Sequence, residues 1–343
     1  MPEGADVSLG HFGTVGILGT FLVDISCRNR YNINTMHLFA GSSHPALAKS
    51  LAKELKVDLG KVILKKFSSG EHYVKFEESV RGKEVFILQT ATKTPNEDLI
   101  ELFLMCQAAK LSFAKSVHVI LPHFPYSRQD RVTEPREPIS AKLMAHLLEE
   151  AGADHVIVLD LHSDQIQGFF SIPADAVEAR MIFSGYFRTL NLKDPVVVAP
   201  DVGGAKRAKK FAVMLGAELA IMHKNRSQHQ EAEILEVVGD IQGKTCIIFD
   251  DIIDTAGTLV SGKNALMERG AKEVYAVATH AVFSGKAQER LSKAGFTEVI
   301  VTDSIPTDPK LFPGLRILPI APLLAEVIRH VISGQSVTEI YKK

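Results

Sequence analysis

Two adjacent carboxylates, Asp250 and Asp251, end the apolar run Ile247-Ile248-Phe249, and Asp254-Thr255-Ala256-Gly257-Thr258 follows closely. An apolar strand, paired acids and a small-residue turn opening a helix can together hold a phosphorylated sugar. The turn can aim backbone N–H groups and the hydroxyls of Thr255 and Thr258 at a phosphate, with the positive end of the helix dipole behind them. The carboxylates can accept hydrogen bonds from two ribose hydroxyls or hold a bridging Mg²⁺. The competing reading is structural: acid-rich strand ends are common in α/β folds, and Asp254 can simply cap a helix.

Three other constellations carry possible chemistry. Lys224 and Arg226, at alternate positions in the polar run Ile221–Gln230, can clamp a phosphorus centre and neutralise its developing charge, or can be a solvated basic loop. His162 follows Asp160 by two positions, with Asp175 and Asp201 further on. One imidazole with carboxylate and phosphate oxygens suits Mg²⁺, although a lone His after a strand is more often a structural hydrogen-bonder. In Arg128-Gln129-Asp130-Arg131 the first guanidinium offers a bidentate fork to phosphate, against a surface ion-pair cluster as the plain reading. No Gly-x-x-x-x-Gly-Lys-Ser/Thr loop is present, so any use of ATP proceeds without that architecture.

The elements that must position these residues follow from apolar periodicity. Strands are predicted at 37–40, 61–66, 84–89, 117–121, 155–160, 196–199, 219–222, 245–250, 273–279 and 299–301. Helices are predicted at 45–55, 97–111, 140–151, 204–215, 259–269 and 284–294. Short apolar strands alternating with helices give an α/β protein with largely parallel sheets covered on both faces. Ligands in such sheets bind beyond the carboxyl ends of the strands, where Asp160-Leu161-His162, Asp201 and Asp250-Asp251 all fall. The polar run 221–230 is expected to be a loop. The tail reads as a helix at 320–332 and a short strand at 336–341. With 343 residues the chain is long enough for about two domains, and 170–192 is the best boundary between two similar halves.

A hydrophobic fraction of 46% supports sizeable cores, and a net charge of −1 gives no global drive toward nucleic acid or an anionic membrane. Cys27, Cys106 and Cys246 form no metal-ligand spacing, which fits a reducing, cytoplasmic compartment. The apolar stretch 12–23 is too short to span a bilayer and lacks the basic flank of a secretory signal. Residues 1–35 are expected to be a poorly ordered extension or an upstream start-site artefact without catalytic role.

The run Asp250–Thr258 resembles the ribose-5-phosphate loop shared by phosphoribosyltransferases and phosphoribosyl-pyrophosphate synthetases (ribose-phosphate diphosphokinases). Phe124–Arg131, Pro138–Lys142, Asp160-Leu161-His162, Gln165–Phe170, Pro200–Gly204 and Thr279–Gly285 are similar to signatures of the second family, in one order from Met36 to the C-terminus. The resemblance implies two phosphoribosyltransferase-like domains, 36–180 with the nucleotide loops and 181–343 with the ribose-5-phosphate loop, whose last residues pack back on the first. It implies transfer of the β,γ-diphosphoryl group of ATP to the anomeric hydroxyl of ribose 5-phosphate, giving phosphoribosyl pyrophosphate and AMP for nucleotide biosynthesis. The residues it implies for ATP are Phe67, Ser69, Glu71, Arg128 and Gln129, with Ser69 standing where the family usually has Asp or Asn. For ribose 5-phosphate it implies Asp250, Asp251, Asp254, Thr255, Ala256, Gly257 and Thr258. His162 and Asp201 would hold Mg²⁺, and Lys224 and Arg226 would stabilise the transition state. It implies a homo-oligomer, a dimer-based hexamer, with no nucleic-acid or membrane partner. Two other readings share part of the pattern: a phosphoribosyltransferase, and a non-catalytic homologue that regulates an active subunit.

Overall fold

Cys246-Ile247-Ile248-Phe249 is buried throughout, as a strand must be when both faces of its sheet are covered. That pattern repeats along the chain and sets the architecture. The computed structural model describes residues 36–225 and 234–342; the extension 1–35 and Arg226 lie outside them.

The first sheet is built by β1 (Met36–Ala40), β4 (Glu84–Leu88), β5 (Ser116–Leu121), β6 (His155–Leu159) and β7 (Ala174–Val177), side by side in that order and all parallel. Between them run α1 (Pro45–Leu55), the antiparallel hairpin β2 (Val62–Lys66) and β3 (His72–Phe76), α2 (Pro95–Leu111) and α3 (Ser140–Glu150). After α4 (Arg180–Leu190) the second sheet collects β8 (Pro195–Ala199), β9 (Glu218–Asn225), β10 (Ile234–Val238), β11 (Thr245–Ile253), β12 (Glu273–Ala281), β13 (Val299–Thr302) and β14 (Leu315–Leu318). Its order is β10-β9-β8-β11-β12-β13-β14, parallel except at β9–β10. The helices of this half are α5 (Ala205–Leu215), α6 (Gly257–Glu268), α7 (Ala287–Ala294) and α8 (Ala321–Ser333). None of the described helices is long and apolar enough to cross a membrane.

One hydrophobic core joins both sheets. It runs from Phe86, Ile120 and Ile157 through Phe183, Phe187 and Phe211 to Val197, Phe249 and Val277. The other faces are sealed separately, by α2 and α3 over Val119 and Val158 and by α6 over Ile248 and Ala276. Helix α8 packs against α1, where Arg329 Nη2 donates to Glu54 O at 2.6 Å.

Two local expectations are corrected. The run 221–230 does not begin as a loop: β9 continues through Asn225 because β10 pairs with it, placing Lys224 opposite Leu235. Residues 336–341 are not a strand. They form a 3-10 turn, Val337–Lys342, closed by Glu339 N donating to Ser336 O at 3.1 Å, while the Tyr341 hydroxyl accepts from Glu178 N at 2.6 Å. The stretch 170–192 holds β7 and α4.

The carboxyl-terminal edges of the two sheets are sewn together by buried polar groups. Thr90 Oγ1 donates to Ser304 O at 2.7 Å, and His44 Nε2 donates to Asp303 O at 2.8 Å. His44 also starts α1, its Nδ1 accepting from Leu47 N at 3.2 Å just ahead of Pro45. Asp160, after β6, accepts from Thr279 Oγ1 and from Ala179 N. His280 Nε2 donates to Leu159 O at 2.9 Å, its Nδ1 lies 3.0 Å from Ser304 Oγ, and its ring sits 4.8 Å from that of His123.

Burial drives His280 down to about 3, with the neighbouring His123 adding to the shift. The folded pKa lies below the unfolded one, so the unfolded chain takes up the extra proton. The stability held by neutral His280 is therefore complete above pH ~6.5 and is lost as pH falls toward 3. Urea unfolding between pH 6.5 and 5 is expected to lose about 2 kcal/mol from this group. His280→Asn should be less stable at neutral pH but show a shallower acid slope; an unchanged slope would contradict the assignment.

Candidate active site

Strands β8 and β11 are neighbours, yet the chain leaves β8 toward β9 on one side and leaves β11 toward β12 on the other. Such a reversal opens a crevice beyond the strand ends. The turn after β8 is held by Asp201, whose Oδ1 accepts from Gly204 N at 2.8 Å, and it launches α5. The first turn of α5 delivers Arg207. Its Nη1 donates to Asp251 Oδ1 at 2.6 Å, and its Nη2 donates to Leu161 O at 3.1 Å and His162 O at 3.0 Å. From the first sheet, His162 Nδ1 donates to Asp251 Oδ2 at 2.8 Å. One carboxylate thus ties together the ends of β6 and β11 and the start of α5.

Asp251 is 3% exposed. Burial opposes its charge, but the His162 hydrogen bond and the Arg207 guanidinium prevail and hold its carboxyl far below the usual range. The same hydrogen bond raises His162, against the effect of burial. The imidazole Nε2 has no hydrogen-bond partner among the described residues. Asp250 differs: its Oδ1 accepts from Asp251 N at 2.9 Å, and Arg207 Nη1 stands 3.8 Å away. Desolvation in the crevice, and then the adjacent Asp251 charge, push its carboxyl well up. With both Asp251 oxygens occupied, Asp250 is the carboxylate open to a ligand.

Asp254 also has two protein partners. Arg128 Nη1 donates to Oδ2 at 2.7 Å, and the Ser284 hydroxyl donates to Oδ1. Burial would raise this carboxyl, but the Ser284 and Arg128 hydrogen bonds outweigh it and keep it low. Asp254 therefore braces the turn. Ala256 takes a left-handed conformation, φ 61°, which swings the chain into α6 without a side-chain cap. Uncapped first-turn N–H groups are donors for an anion. A Cβ on Gly257 would meet only ordinary contacts, Arg290 Nη1 at 3.5 Å and Thr255 Oγ1 at 3.9 Å, so protein packing does not demand the glycine. The Thr255 and Thr258 side chains are exposed, and Arg290 Nη1 donates to Thr255 O at 2.8 Å.

The first turn of α2 gathers the other implicated residues. Glu97 accepts from Lys66 Nζ and, at 2.9 Å, from His72 Nε2, anchoring the β2–β3 hairpin. Asn96 accepts from the Tyr126 hydroxyl, anchoring the loop of Arg128. At the hairpin tip the Phe67 ring is 54% exposed, free for stacking, with Tyr73 against its edge. Ser69 Oγ donates to Glu71 Oε2 at 2.7 Å. Gln129 is engaged within the protein, its side chain accepting from Ser140 Oγ.

Asp201 forms no ion pair with another described residue, and no described contact joins it to His162. Among the described residues no cluster of three or more His, Cys, Asp or Glu side chains is arranged for a metal. An ion held by His162 Nε2 and Asp201 would need phosphate and water oxygens to complete its shell, the usual habit of Mg²⁺. Asp251 behind His162 is the orienting carboxylate such a ligand commonly has. Lys224 sits on β9, whereas Arg226 lies outside the described residues. Arg207 and Arg290 were missed in the sequence, where Lys206–Lys210 reads as a solvated basic face.

Arg207→Met leaves Asp251 with the His162 hydrogen bond alone. The expected loss is roughly 3–5 kcal/mol, the cost of half a buried pair, measured by urea unfolding at pH 7. Arg207→Lys should recover part of it. A loss below about 1 kcal/mol would mean the pair is dispensable.

The chain is similar over most of its length to known proteins. Residues 36–152 match the model of the N-terminal domain of ribose phosphate pyrophosphokinase, and 226–342 match the phosphoribosyl synthetase-associated domain. The chain is 46% identical over 314 residues to the ribose-phosphate pyrophosphokinase of Bacillus subtilis, covering 91% of this chain and 99% of that one. It is 47% identical over 310 residues to that of Synechococcus elongatus, covering 90% and 94%. The crystal structure of phosphoribosylpyrophosphate synthetase from Mycobacterium smegmatis superposes with a TM-score of 0.83 at 46% identity, over 88% of this chain and 99% of that one. The chain belongs to the ribose-phosphate pyrophosphokinase family.

Proposed function

We propose that this chain binds ATP and ribose 5-phosphate and transfers the β,γ-diphosphoryl group to the anomeric hydroxyl, releasing AMP. The carrying observation is the pair of bridges across the crevice, His162 to Asp251 and Arg128 to Asp254. They bring residues matched to the nucleotide and metal within hydrogen-bond reach of residues matched to the sugar. Attack on the β-phosphorus needs placement and charge neutralisation more than covalent help.

The roles divide by environment. Thr255–Thr258 and the start of α6 take the 5-phosphate, with Asp254 bracing the turn. Asp250 receives the ribose hydroxyls, directly or through a second Mg²⁺. Asp251 orients His162 and Arg207. His162 and Asp201 would hold the Mg²⁺ that accompanies ATP. Bound there, the ion would neutralise phosphate charge and align the reacting groups. Phe67, Ser69, Glu71, Arg128 and Gln129 form the nucleotide side, and Lys224 and Arg226 stabilise the transferring group. The assignment of nucleotide loops to a domain 36–180 and the sugar loop to a domain 181–343 belongs to the same proposal. So does cytoplasmic residence, consistent with Cys106 and Cys246 as buried neutral thiols pushed up to about 12 and about 11 by burial.

A ³¹P NMR time course with ATP, ribose 5-phosphate and Mg²⁺ tests this reading. AMP and phosphoribosyl pyrophosphate should appear together, and chelation of Mg²⁺ should stop both. ADP formation, or no product, would refute it. Lys224→Ala is expected to lower kcat at least ~100-fold with substrate KM values changed only a few-fold, as for a contact made in the transition state.

Self-association is supported by the outer face of the first half, where Ile100, Leu104 and Leu111 of α2 and Leu143 and Leu147 of α3 are exposed. Several exposed apolar side chains on two helices in contact are what an interface between subunits would cover. Light scattering should give a mass several times 37.5 kDa, reduced by Leu104→Glu with Leu147→Glu; a monomeric wild type would end this part of the proposal.

A further inference from the structure

Arg128 lies on the nucleotide side, yet its described partner is on the sugar side: Nη1 reaches Asp254 Oδ2, 126 residues away in sequence. The other guanidinium nitrogens have no partner among the described residues, and 45% of the side chain is exposed. Asp254 is 27% exposed and has both oxygens engaged, by Arg128 and by Ser284. It therefore remains a fixed negative charge beside the turn.

The charge at this turn poses a problem. Asp250, Asp251 and Asp254 fall within five positions, and no cation occurs between Asp250 and Thr258. A sugar phosphate brings about −1.5 to −2 more at neutral pH. Backbone N–H groups and a helix dipole supply only about half a positive charge. The balance must come from outside the turn. Arg207 is committed to Asp251, and Arg290, bonded to the neutral Thr255 carbonyl, keeps its charge for the phosphate rather than for Asp254. The guanidinium that offsets Asp254 is Arg128.

We infer that Arg128 is a positioning residue for the sugar-phosphate turn as well as a nucleotide contact. It neutralises and orients Asp254 so that the dianion can dock at Thr255–Thr258. Its unused N–H groups remain for the phosphates of the nucleotide. Because guanidinium is planar and multidentate, one side chain can serve both partners at once. The two substrates then favour each other's binding through it. This rests on the substrate assignment above. The plain alternative is a surface ion pair of negligible consequence.

Calorimetric titration of the full chain with ribose 5-phosphate and Mg²⁺, without nucleotide, separates these readings. Arg128→Gln should weaken ribose 5-phosphate about tenfold, and Arg128→Lys should recover most of that. In an Asp254→Asn background the Arg128→Gln step should shrink to about two-fold or less, since the charge it offsets is gone. In the wild type, α,β-methylene ATP should tighten ribose 5-phosphate, and Arg128→Gln should abolish that gain. Unchanged ribose 5-phosphate affinity in Arg128→Gln overturns this inference while leaving the substrate assignment intact. A wild type that binds no ribose 5-phosphate overturns both. Thermal unfolding of each variant shows whether it is folded; if Arg128→Gln is not, Arg128→Met, which removes the same charge, carries the same test alone and in the Asp254→Asn background.

Discussion

A carboxylate that is almost fully buried keeps its charge only if donors and positive charge are brought to it, and Asp251 has the Arg207 guanidinium and the His162 N–H. This requirement constrains much of the site. Arg207 must arrive from the first turn of α5, so the Asp201–Gly204 turn must close after β8. His162 must arrive from the other sheet, so β6 must end level with β11. Arg207 then secures the carbonyls of Leu161 and His162 as well, and the position of the imidazole follows from the charge behind it. The arrangement is costly to break on one side, which is why the same residues that orient the site also contribute to holding the two sheet edges in register.

The polar seam beside it works by a different rule. His44 and His280 are neutral, each ring using one nitrogen as donor to a backbone carbonyl, and burial lowers both. Neutral, satisfied groups fix geometry without adding charge to a crevice already crowded with acids. Asp160, fully enclosed, is pushed up by burial while it accepts from Thr279 and Ala179 N. The Thr279-His280 signature is thus explained by the joining of two edges, with no direct contact to substrate required.

Much of the architecture was legible because parallel strands covered on both faces leave unbroken apolar runs. The apolar period gives Pro45–Leu55 with its observed boundaries, and β5, β6, β11 and β12 differ from it only by a few end residues. What escaped lacked that signature. Strand β3 alternates half-buried and exposed residues in a charged hairpin, β14 has four residues, and α4 carries Gly185 and Thr189 among its aromatics. Strand β9 was cut short because Lys224 and Asn225 break the apolar run, although β10 pairs with both. At the site, acids at strand ends stood out, whereas Arg207 did not. Flanked by Lys206, Lys209 and Lys210, it has the local appearance of a solvated helix face, and only the tertiary position of Asp251 distinguishes it.

The three acids after β11 illustrate why residue type alone underdetermines role. Asp251 has both oxygens taken and a strongly favoured charge; it orients. Asp254 also has both oxygens taken, by Arg128 and Ser284 beside the turn; it braces. Asp250, with its carboxyl pushed up by the crevice and by Asp251, is the least satisfied of the three. A group in that condition gains most from a hydroxyl donor or a cation supplied by a ligand. The acid the fold leaves incompletely compensated is thus the one at which a ligand would gain most, and the two compensated neighbours keep it in that state.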